Sequence, residues 1–336
     1  MTRQPDPLKI PEAVRASLRL LFLAKHALGD GTLHPEDGNH AVYHHEVRTI
    51  LESLFPKLLL GNQYAMLFDP PETDFVFPLL NRGGFVNSEM MIPLLCNRAG
   101  LPFLGASPIL RGLSDDKHLS KLVAKTRGIP TAPWAIYRHG GPIDETLCPK
   151  ADRLVIKPNA SSASWGVHDA GSWKETKAAI DEIHAEGHDA IVEPFLIGSD
   201  VEVPVITING KPHIMPMMLF EQADPSHLRT YWEKRDLVER ASKYELVNFE
   251  NGAMVDEIAG YTANLAKEFV PFDYGRYEFR VDMASGTVNF LELNLNCNLW
   301  SEKVFGRSAA RMGWSQSELI ETILCDSLRR HGLLAG

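Results

Sequence analysis

Cysteine is scarce in this chain, and its spacing gives no sign of a cross-link. The 336 residues include four cysteines, Cys96, Cys148, Cys297 and Cys325. No two of them form a Cys-x-x-Cys pair, which argues against both a structural zinc site and a disulfide framework. We therefore expect a protein of a reducing compartment, the cytoplasm.

Long apolar runs and an excess of basic residues are also missing. No hydrophobic run approaches the roughly 18 residues needed to cross a bilayer, and residues 1–9 are polar, without the apolar core of a signal peptide. The formal charge is −9, which argues against a general binder of nucleic acid or membrane surfaces. We expect a protein that is neither secreted nor anchored, with small-molecule ligands and no nucleic-acid or membrane partner. A homodimer is left open.

The first third of the sequence alternates helical and strand patterns. Residues 42–55 have helical periodicity, residues 73–80 are rich in β-formers, and residues 88–99 form a second helical segment. Strands that alternate with helices predict a parallel sheet covered on both faces. A further helix is predicted over residues 114–127, with Ser114 as its N-cap.

After residue 150 the pattern changes to that of an α+β unit. Strands are predicted at residues 153–157, 190–196 and 201–209, and helices at 172–186 (capped by Ser172), 253–269 and 315–331. Residues 221–244 are polar and have no clear period, which predicts a long loop. Long loops in compact enzymes often act as lids over the active site.

A β-hairpin near the C-terminus carries acidic and amide side chains. Residues 277–283 and 287–295 alternate in side-chain character, and the Ala-Ser-Gly between them has turn composition. On an antiparallel hairpin Asp282 can lie across from Glu292 or near it, and Asn294 shares a face with Glu292. The sequence therefore predicts three oxygen donors that converge on one side of the hairpin.

Such a donor set is typical of Mg²⁺ that is also held by phosphate oxygens. Arg280 shares a face with Asp282 and would supply a guanidinium beside the ions, where charge builds during phosphoryl transfer. The alternative is a polar hairpin whose acids are solvated.

A lysine near the end of a predicted strand precedes a loop of small residues. Lys157 is followed at residues 160–167 by Ala-Ser-Ser-Ala-Ser-Trp-Gly-Val, and short side chains let backbone N–H groups and serine hydroxyls approach phosphate oxygens. No Walker A order of Gly-Lys-Ser is present. A flexible surface loop is the alternative. Lys117, in the first turn of a predicted helix, would in isolation be a solvated lysine.

Residues 191–200 have the composition of a nucleotide slot between two lobes. The backbone there can hydrogen-bond the edge of an adenine, Phe195 and Leu196 can cover its faces, and Asp200 can bind ribose hydroxyls. A buried strand that leaves a sheet has the same composition, so this segment alone does not decide between the two.

In chain order these segments resemble the ATP-grasp superfamily, most closely the D-alanine:D-alanine ligases. The resemblance covers residues 101–328 and is strongest at Leu101-Pro102-Phe103-Leu104-Gly105, Asp116-Lys117, Val155-Ile156-Lys157-Pro158-Asn159, Arg280-Val281-Asp282 and Glu292-Leu293-Asn294-Leu295-Asn296. It implies an ATP-grasp fold, of α/β and α+β type, with an N-terminal Rossmann-like (pre-ATP-grasp) domain. The expected boundaries are 1–112 for that domain, 113–192 for the central ATP-grasp lobe and 193–336 for the C-terminal lobe with the metal site and lid loop.

The resemblance also implies a role for each candidate site residue. The residues that would bind ATP are Lys117 and Lys157 at the phosphates, Ser162 and Ser164 in the loop over them, Glu193 at the adenine amino group, Phe195 and Leu196 along the adenine, and Asp200 at the ribose. Asp282, Glu292 and Asn294 would bind two Mg²⁺ ions, with Mn²⁺ as an alternative. Arg280 would stabilise the acyl phosphate and the tetrahedral species after it, and Lys234 or Arg235 of the lid would reach the γ-phosphate.

The implied reaction is the ATP-dependent joining of a carboxylate to an amine through an acyl phosphate, with release of ADP and phosphate, on amino acids. Two alternatives remain open: a kinase on the same fold that phosphorylates a small molecule, and a non-catalytic ATP-binding regulatory protein.

The substrate-facing part departs from the ligase pattern. Where the ligases usually carry a His-Gly segment with acidic residues, this chain has Leu80-Asn81-Arg82-Gly83-Gly84-Phe85. Glu46, on the first long helix, lies where the ligases keep a glutamate near the substrate amine, although its flanking residues do not match well. The resemblance therefore indicates the chemistry more directly than the substrates.

Overall fold

The structure is a computed structural model that describes residues 4–80, 88–161, 164–234, 237–239 and 243–335. These residues fold around successive β-sheets in the N-terminal, central and C-terminal parts of the chain. Within them, no helix combines the length and the apolar character that a membrane crossing requires.

The N-terminal sheet is parallel, with the strand order β2-β1-β3. Every residue of β1 and β3 is buried, as expected for a parallel sheet that is covered on both faces. The elements of this part are α1 (Glu12–Ser17), β1 (Leu20–Leu23), α2 (His40–Leu54), β2 (Leu59–Gly61), β3 (Phe75–Pro78), α3 (Met91–Ala99) and α4 (Pro108–Asp115). The predicted α/β layer is confirmed.

The central sheet is antiparallel, with the order β4-β7-β5-β6. Its elements are α5 (Lys117–Thr126), β4 (Ala135–Tyr137), β5 (Leu154–Pro158), β6 (His168–Ala170), α6 (Trp173–Ala185) and β7 (Ala190–Pro194). Ser172 caps α6 as predicted, because its side chain accepts from Glu175 N. The predicted cap at Ser114 is wrong: extended Asp116 separates α4 from α5, and its side chain accepts from Leu119 N.

The C-terminal sheet is also antiparallel and has the order β11-β10-β8-β12-β13, with β9 paired to β8. Its elements are β8 (Ser199–Ile208), β9 (Lys211–Ile214), β10 (Met218–Gln222), α7 (Tyr231–Lys234), β11 (Tyr244–Asn248), α8 (Gly252–Ala266), β12 (Tyr274–Asp282), β13 (Thr287–Asn294), α9 (Val304–Arg311) and α10 (Gln316–Arg330). The predicted hairpin is present as β12 and β13. The predicted loop over residues 221–244 joins β10 to β11 and includes the short helix α7.

Asp273, just before β12, links three parts of the fold. It is fully buried, and its carboxylate accepts hydrogen bonds from Gly105 N, from Ser327 Oγ at 2.7 Å and from the Arg330 guanidinium at 2.8 and 3.0 Å. Gly105 follows the N-terminal sheet, and Ser327 and Arg330 belong to α10. One carboxylate therefore ties the closing helix and the N-terminal layer to the sheet that carries β12.

Replacing Asp273 with Asn should lower the free energy of unfolding by about 3–5 kcal/mol, because the Arg330 guanidinium loses its charged partner and two donors lose a strong acceptor. Urea denaturation measures this change. Asp256→Asn, on the exposed side of α8, is the matched control and should change stability by less than about 0.5 kcal/mol. Equal effects of the two substitutions would contradict the role of Asp273.

Candidate functional site

One cleft, with a volume of about 680 Å³, runs along the carboxyl end of the N-terminal sheet and between the central and C-terminal sheets. Of the predicted site residues, those that line it are Lys117, Lys157, Ser164, Glu193, Phe195, Leu196, Asp200, Lys234, Arg280, Glu292 and Asn294. The predicted residues Ser162 and Arg235, and the segment 81–85, lie outside the described residues. The structure therefore brings most of the predicted nucleotide residues to one cavity.

Arg280 and Asp200 lie together at the end of the cleft that is lined by Phe195 and Leu196. Arg280 donates from Nη1 to Asp200 Oδ1 at 2.8 Å and from Nε to Leu196 O at 3.0 Å. Arg229 donates to the other oxygen of Asp200 at 2.9 Å. Burial alone would raise the pKa of Asp200, but the two guanidinium groups outweigh it and lower that pKa to about 2.

The predicted position of Arg280 beside the metal acids is therefore wrong. Along β12 it lies opposite Asn289 of β13 and Asp200 of β8. Its remaining donor, Nη2, is taken by Pro225 O at 3.1 Å. Glu278 shares its face but is two residues away, roughly 7 Å along the strand. Arg280 consequently holds the predicted adenine and ribose segment.

Two lysines form ion pairs with Glu193, and a third lysine lines the same cleft. Glu193 is 3% exposed and forms ion pairs with Lys157 and, at 2.7 Å, with Lys121. Lys117 donates a hydrogen bond to Ser161 O at 2.9 Å. Burial would raise the pKa of Glu193, but Lys121 and Lys157 outweigh it and lower it to about 2. The same burial lowers the pKa of Lys121. The cleft floor is thus rich in buried ammonium groups.

Three glutamates lie side by side on neighbouring strands, facing these lysines. The register pairs Glu278 of β12 with Glu202 of β8 on one side and with Glu292 of β13 on the other. All three line the cleft. Lys117 Nζ lies 3.3 Å from Glu292 Oε2. We call Glu202, Glu278 and Glu292 the glutamate row.

Arg276 places a guanidinium in contact with the glutamate row. It lies two residues before Glu278 on β12, opposite Asn294 of β13, and its side chain is 19% exposed. Its Nε is 3.1 Å from Glu278 Oε1 and 2.9 Å from Glu202 Oε2, and its Nη2 donates to Glu278 Oε1 at 2.5 Å. One cation is therefore shared by two buried carboxylates.

The carboxylates of the glutamate row are not equally neutralised by the nearby cations. Burial, together with the negative charges of Glu202 and Glu292, raises the pKa of Glu278 to about 7, although Arg276 and Lys234 act against that rise. Burial would also raise the pKa of Glu292, but Lys117, Lys157 and Lys234 lower it to about 2. Positive charge is therefore lacking at Glu278, in the middle of the row.

Asp282 does not belong to this constellation, and its predicted place across from Glu292 is wrong. It is the last residue of β12 and pairs with Thr287 beside the turn. Its carboxylate accepts from Ser285 Oγ at 2.6 Å and from Ala284 N at 2.9 Å, and these bonds lower its pKa. From that pair the register runs evenly to Phe279 and Phe290, and one extra residue in β13, Leu291, then brings Glu292 opposite Glu278.

Glu46 contacts the segment after β13, and its role near a substrate amine stays a prediction. Its two carboxylate oxygens accept from Ser301 N at 3.0 Å and Ser301 Oγ at 2.6 Å, and Glu46 is not among the residues that line the cleft. It anchors the segment after β13 to helix α2. The N-terminal end of the cleft is lined instead by other polar side chains, Lys25, Asp37, His40, Tyr43, His44 and Glu89.

The site residues that sequence reasoning missed are Glu202, Arg276 and Glu278. Arg276 and Glu278 sit at the same two-residue spacing as Arg280 and Asp282, so the Arg-x-acid pattern occurs twice in succession on β12. Counting outward from the turn would have excluded Asp282, but a register shift between Glu278 and Phe279 means that counting alone does not place Glu278 opposite Glu292. For Glu202 the sequence holds no such signal, because its neighbour β12 is more than 70 residues away along the chain.

Residues 123–325 match a protein-family model described as the D-ala D-ala ligase C-terminus. The chain belongs to this family. A D-alanine--D-alanine ligase from Clostridium beijerinckii is 25% identical over 264 residues, which cover 75% of this chain and 81% of that protein. An uncharacterized protein of Sinorhizobium fredii, y4sG, is 27% identical over 243 residues, which cover 71% of this chain and 70% of that protein.

Solved structures of the family share the fold. The crystal structure of a D-alanine--D-alanine ligase from Bacillus anthracis complexed with ATP has a TM-score of 0.70 at 16% identity, over 94% of this chain and 99% of that chain. The crystal structure of a D-alanyl-alanine synthetase A from Vibrio cholerae has a TM-score of 0.69 at 18% identity, over 92% of this chain and 98% of that chain. The predicted ATP-grasp fold is confirmed.

Proposed function

We propose that this protein is an ATP-dependent ligase that joins a carboxylate to an amine through an acyl phosphate and releases ADP and phosphate. The observation that carries the proposal is the cleft itself, in which the glutamate row faces buried lysines next to an apolar slot. Family membership and the names of its relatives support the coarser statement, that the chain is an ATP-dependent carbon–nitrogen ligase acting on amino acids.

The donor set at the row fits Mg²⁺. Glu278 and Glu292 face each other across β12 and β13, and Asn294 lies on the same side two residues further on. These are oxygen donors with two formal charges, as expected for Mg²⁺ that is shared with phosphate oxygens. The raised pKa of Glu278 also marks a place where a further cation is favourable. When bound, Mg²⁺ would neutralise charge on the phosphates.

The lysines of the cleft are suited to the phosphates of ATP. Lys117 and Lys157 stand next to the row and beside the loop that begins at Ser161. Lys234, on α7, lines the same cavity, and burial lowers its pKa. In the proposed reaction these ammonium groups absorb charge while the substrate carboxylate attacks the γ-phosphorus in line.

Arg276 takes the role that the sequence suggested for Arg280. It borders the cleft next to Glu278 and Asn294, where the activated carbonyl would lie, whereas Arg280 is held by Asp200 and backbone carbonyls. The amine attacks the acyl phosphate, the carbonyl oxygen becomes an oxyanion that Arg276 stabilises, and phosphate leaves.

The N-terminal end of the cleft suits amino acids as substrates. Lys25 and Asp37 form an ion pair there, and Glu89 lines the same end. An amino acid zwitterion carries one positive and one negative charge, so an end of the cleft with side chains of both signs can bind both charged groups.

The function is tested by following ADP and free phosphate from ATP with amino acids supplied singly and in pairs, starting with D-alanine, and by identifying products by mass. We expect phosphate release that requires an acid and an amine together, with an amide as product. ADP with a phosphorylated product and no free phosphate would support a kinase instead. ATP binding without turnover on any pair would support a regulatory protein.

The register predicts that Glu278, and not Asp282, supports the metal. Glu278→Gln should lower turnover at limiting Mg²⁺ roughly 10- to 100-fold, because one charged oxygen donor is lost, and excess Mg²⁺ or Mn²⁺ should restore part of it. Asp282→Asn is the matched control on the same strand and should leave the Mg²⁺ dependence unchanged. A Mg²⁺ dependence altered by Asp282→Asn alone would reverse the assignment. Phosphate release against Mg²⁺ concentration measures both.

The two arginines of β12 should differ in kinetics. Arg276→Ala should lower kcat by hundreds-fold and leave the KM for ATP nearly unchanged, because a donor to a developing oxyanion contributes about 3–4 kcal/mol in the transition state. Arg280→Ala should mainly raise the KM for ATP, since it frees Asp200 and the backbone of the slot. Steady-state kinetics on both variants decides; the opposite pattern would return the catalytic role to Arg280.

A further inference from the structure

Glu202 is the one member of the glutamate row that the proposed function does not use. It is 5% exposed, lies on β8 directly beside Glu278, and borders the cleft. Its Oε2 receives no hydrogen bond in the described part of the chain, although Arg276 Nε is only 2.9 Å away. That N–H points to Glu278 Oε1 at 3.1 Å. A buried carboxylate oxygen close to a donor that serves another acid requires an explanation.

The explanation lies in the competing demands on Glu278. In this structure Glu278 accepts two hydrogen bonds from Arg276. Under the proposed function the same carboxylate is a ligand of Mg²⁺, and a carboxylate oxygen that binds a cation is a poorer acceptor for a guanidinium. Arg276 would then be a buried cation in need of another acid. Glu202 is already within reach of its Nε.

We propose that Glu202 is a positioning residue, which keeps the Arg276 guanidinium beside the reacting carbonyl when Glu278 is engaged by the metal. The inference rests on the proposed function. Glu202 borders the cleft, but its Oε2 is buried beside Arg276. It acts through Arg276, whose Nε it faces, and leaves the Nη groups of Arg276 to the cleft.

Kinetics separates this role from others. Glu202→Gln keeps the shape of the side chain and removes its charge, and it should lower kcat roughly 10- to 100-fold, with the KM for ATP changed less than about twofold. Glu221→Gln, on the exposed side of the adjacent strand β10, is the matched control and should behave as wild type. The assay is phosphate release from ATP and Mg²⁺ with D-alanine, or with the pair that gives the fastest release in the screen. A kcat for Glu202→Gln within about threefold of wild type would overturn the proposal.

A second measurement needs no catalysis. In metal-free protein, Arg276→Ala leaves Glu202 and Glu278 buried side by side without their cation, so adding Glu202→Gln should relieve the repulsion. We expect the double variant to melt at a higher temperature than Arg276→Ala alone. A double variant that melts no higher than Arg276→Ala would show that removing Arg276 leaves no uncompensated charge on Glu202, and would contradict the proposal.

Mn²⁺ titration, followed by electron paramagnetic resonance, distinguishes a positioning residue from a metal ligand. Glu202→Gln should bind Mn²⁺ with ATP as wild type does, whereas a marked loss of affinity would make Glu202 a ligand and overturn the proposal. If Glu202→Gln does not fold, Glu202→Asp takes its place, because it keeps the charge but moves it one methylene away from Arg276; a wild-type kcat in that variant contradicts the role.

The outcomes also separate the two proposals. Wild-type protein that releases no phosphate with any acid and amine contradicts the proposed ligase function itself. An active wild type whose Glu202→Gln variant is equally active contradicts the role of Glu202 and leaves the ligase function standing.

Discussion

The structure of the site depends on the register of strand β12 between β8 and β13. That register places three glutamates in line, and like charges on adjacent strands repel unless cations lie close to them. Arg276, Lys117, Lys157 and Lys234 supply part of the required positive charge. A shift of one residue would turn Arg276 and Glu278 together to the opposite face of the sheet, away from Glu202 and Glu292. Pairing of the strands and charge balance in the cleft are therefore one and the same constraint.

The sequence predicts local structure well where a single side chain determines it. Ser172 caps its helix as expected, and the turn before Thr287 creates the expected hairpin. The sequence does not predict which residues of two paired strands lie opposite each other. The Arg-x-acid pattern occurs twice on β12, and either copy satisfies the alternation of faces, so alternation alone does not distinguish Glu278 from Asp282. Only the strand pairing, which includes a bulge, places Glu278 opposite Glu292.

The same dependence on contacts between distant segments explains why the partners of Arg276, Arg280 and Glu46 could not be predicted from the sequence. By sequence alone, either Arg276 or Arg280 could lie beside the metal acids. The role of each depends on which acidic residue of the neighbouring strand it contacts. Arg280 meets Asp200 of β8, whereas Arg276 meets Glu202 and Glu278. Glu46 is on the expected helix, but Ser301, some 250 residues later, takes both its oxygens. Contacts between residues so distant in sequence have no signal in composition or periodicity, and the fold alone determines them.

The division of charge along the cleft accounts for why the nucleotide half follows the family more closely than the substrate half. Phosphates and a divalent ion impose strict demands on lysines and acids, because each buried charge must find an opposite one. The row and its lysines satisfy part of these demands mutually before any ligand binds, so the fold and the nucleotide chemistry constrain the same residues. Under the proposed function the N-terminal end, with Lys25, Asp37 and His40, would face only the substrates. Its side chains can change without unbalancing the row, and selectivity for the acid and the amine can therefore diverge while the phosphoryl chemistry stays fixed.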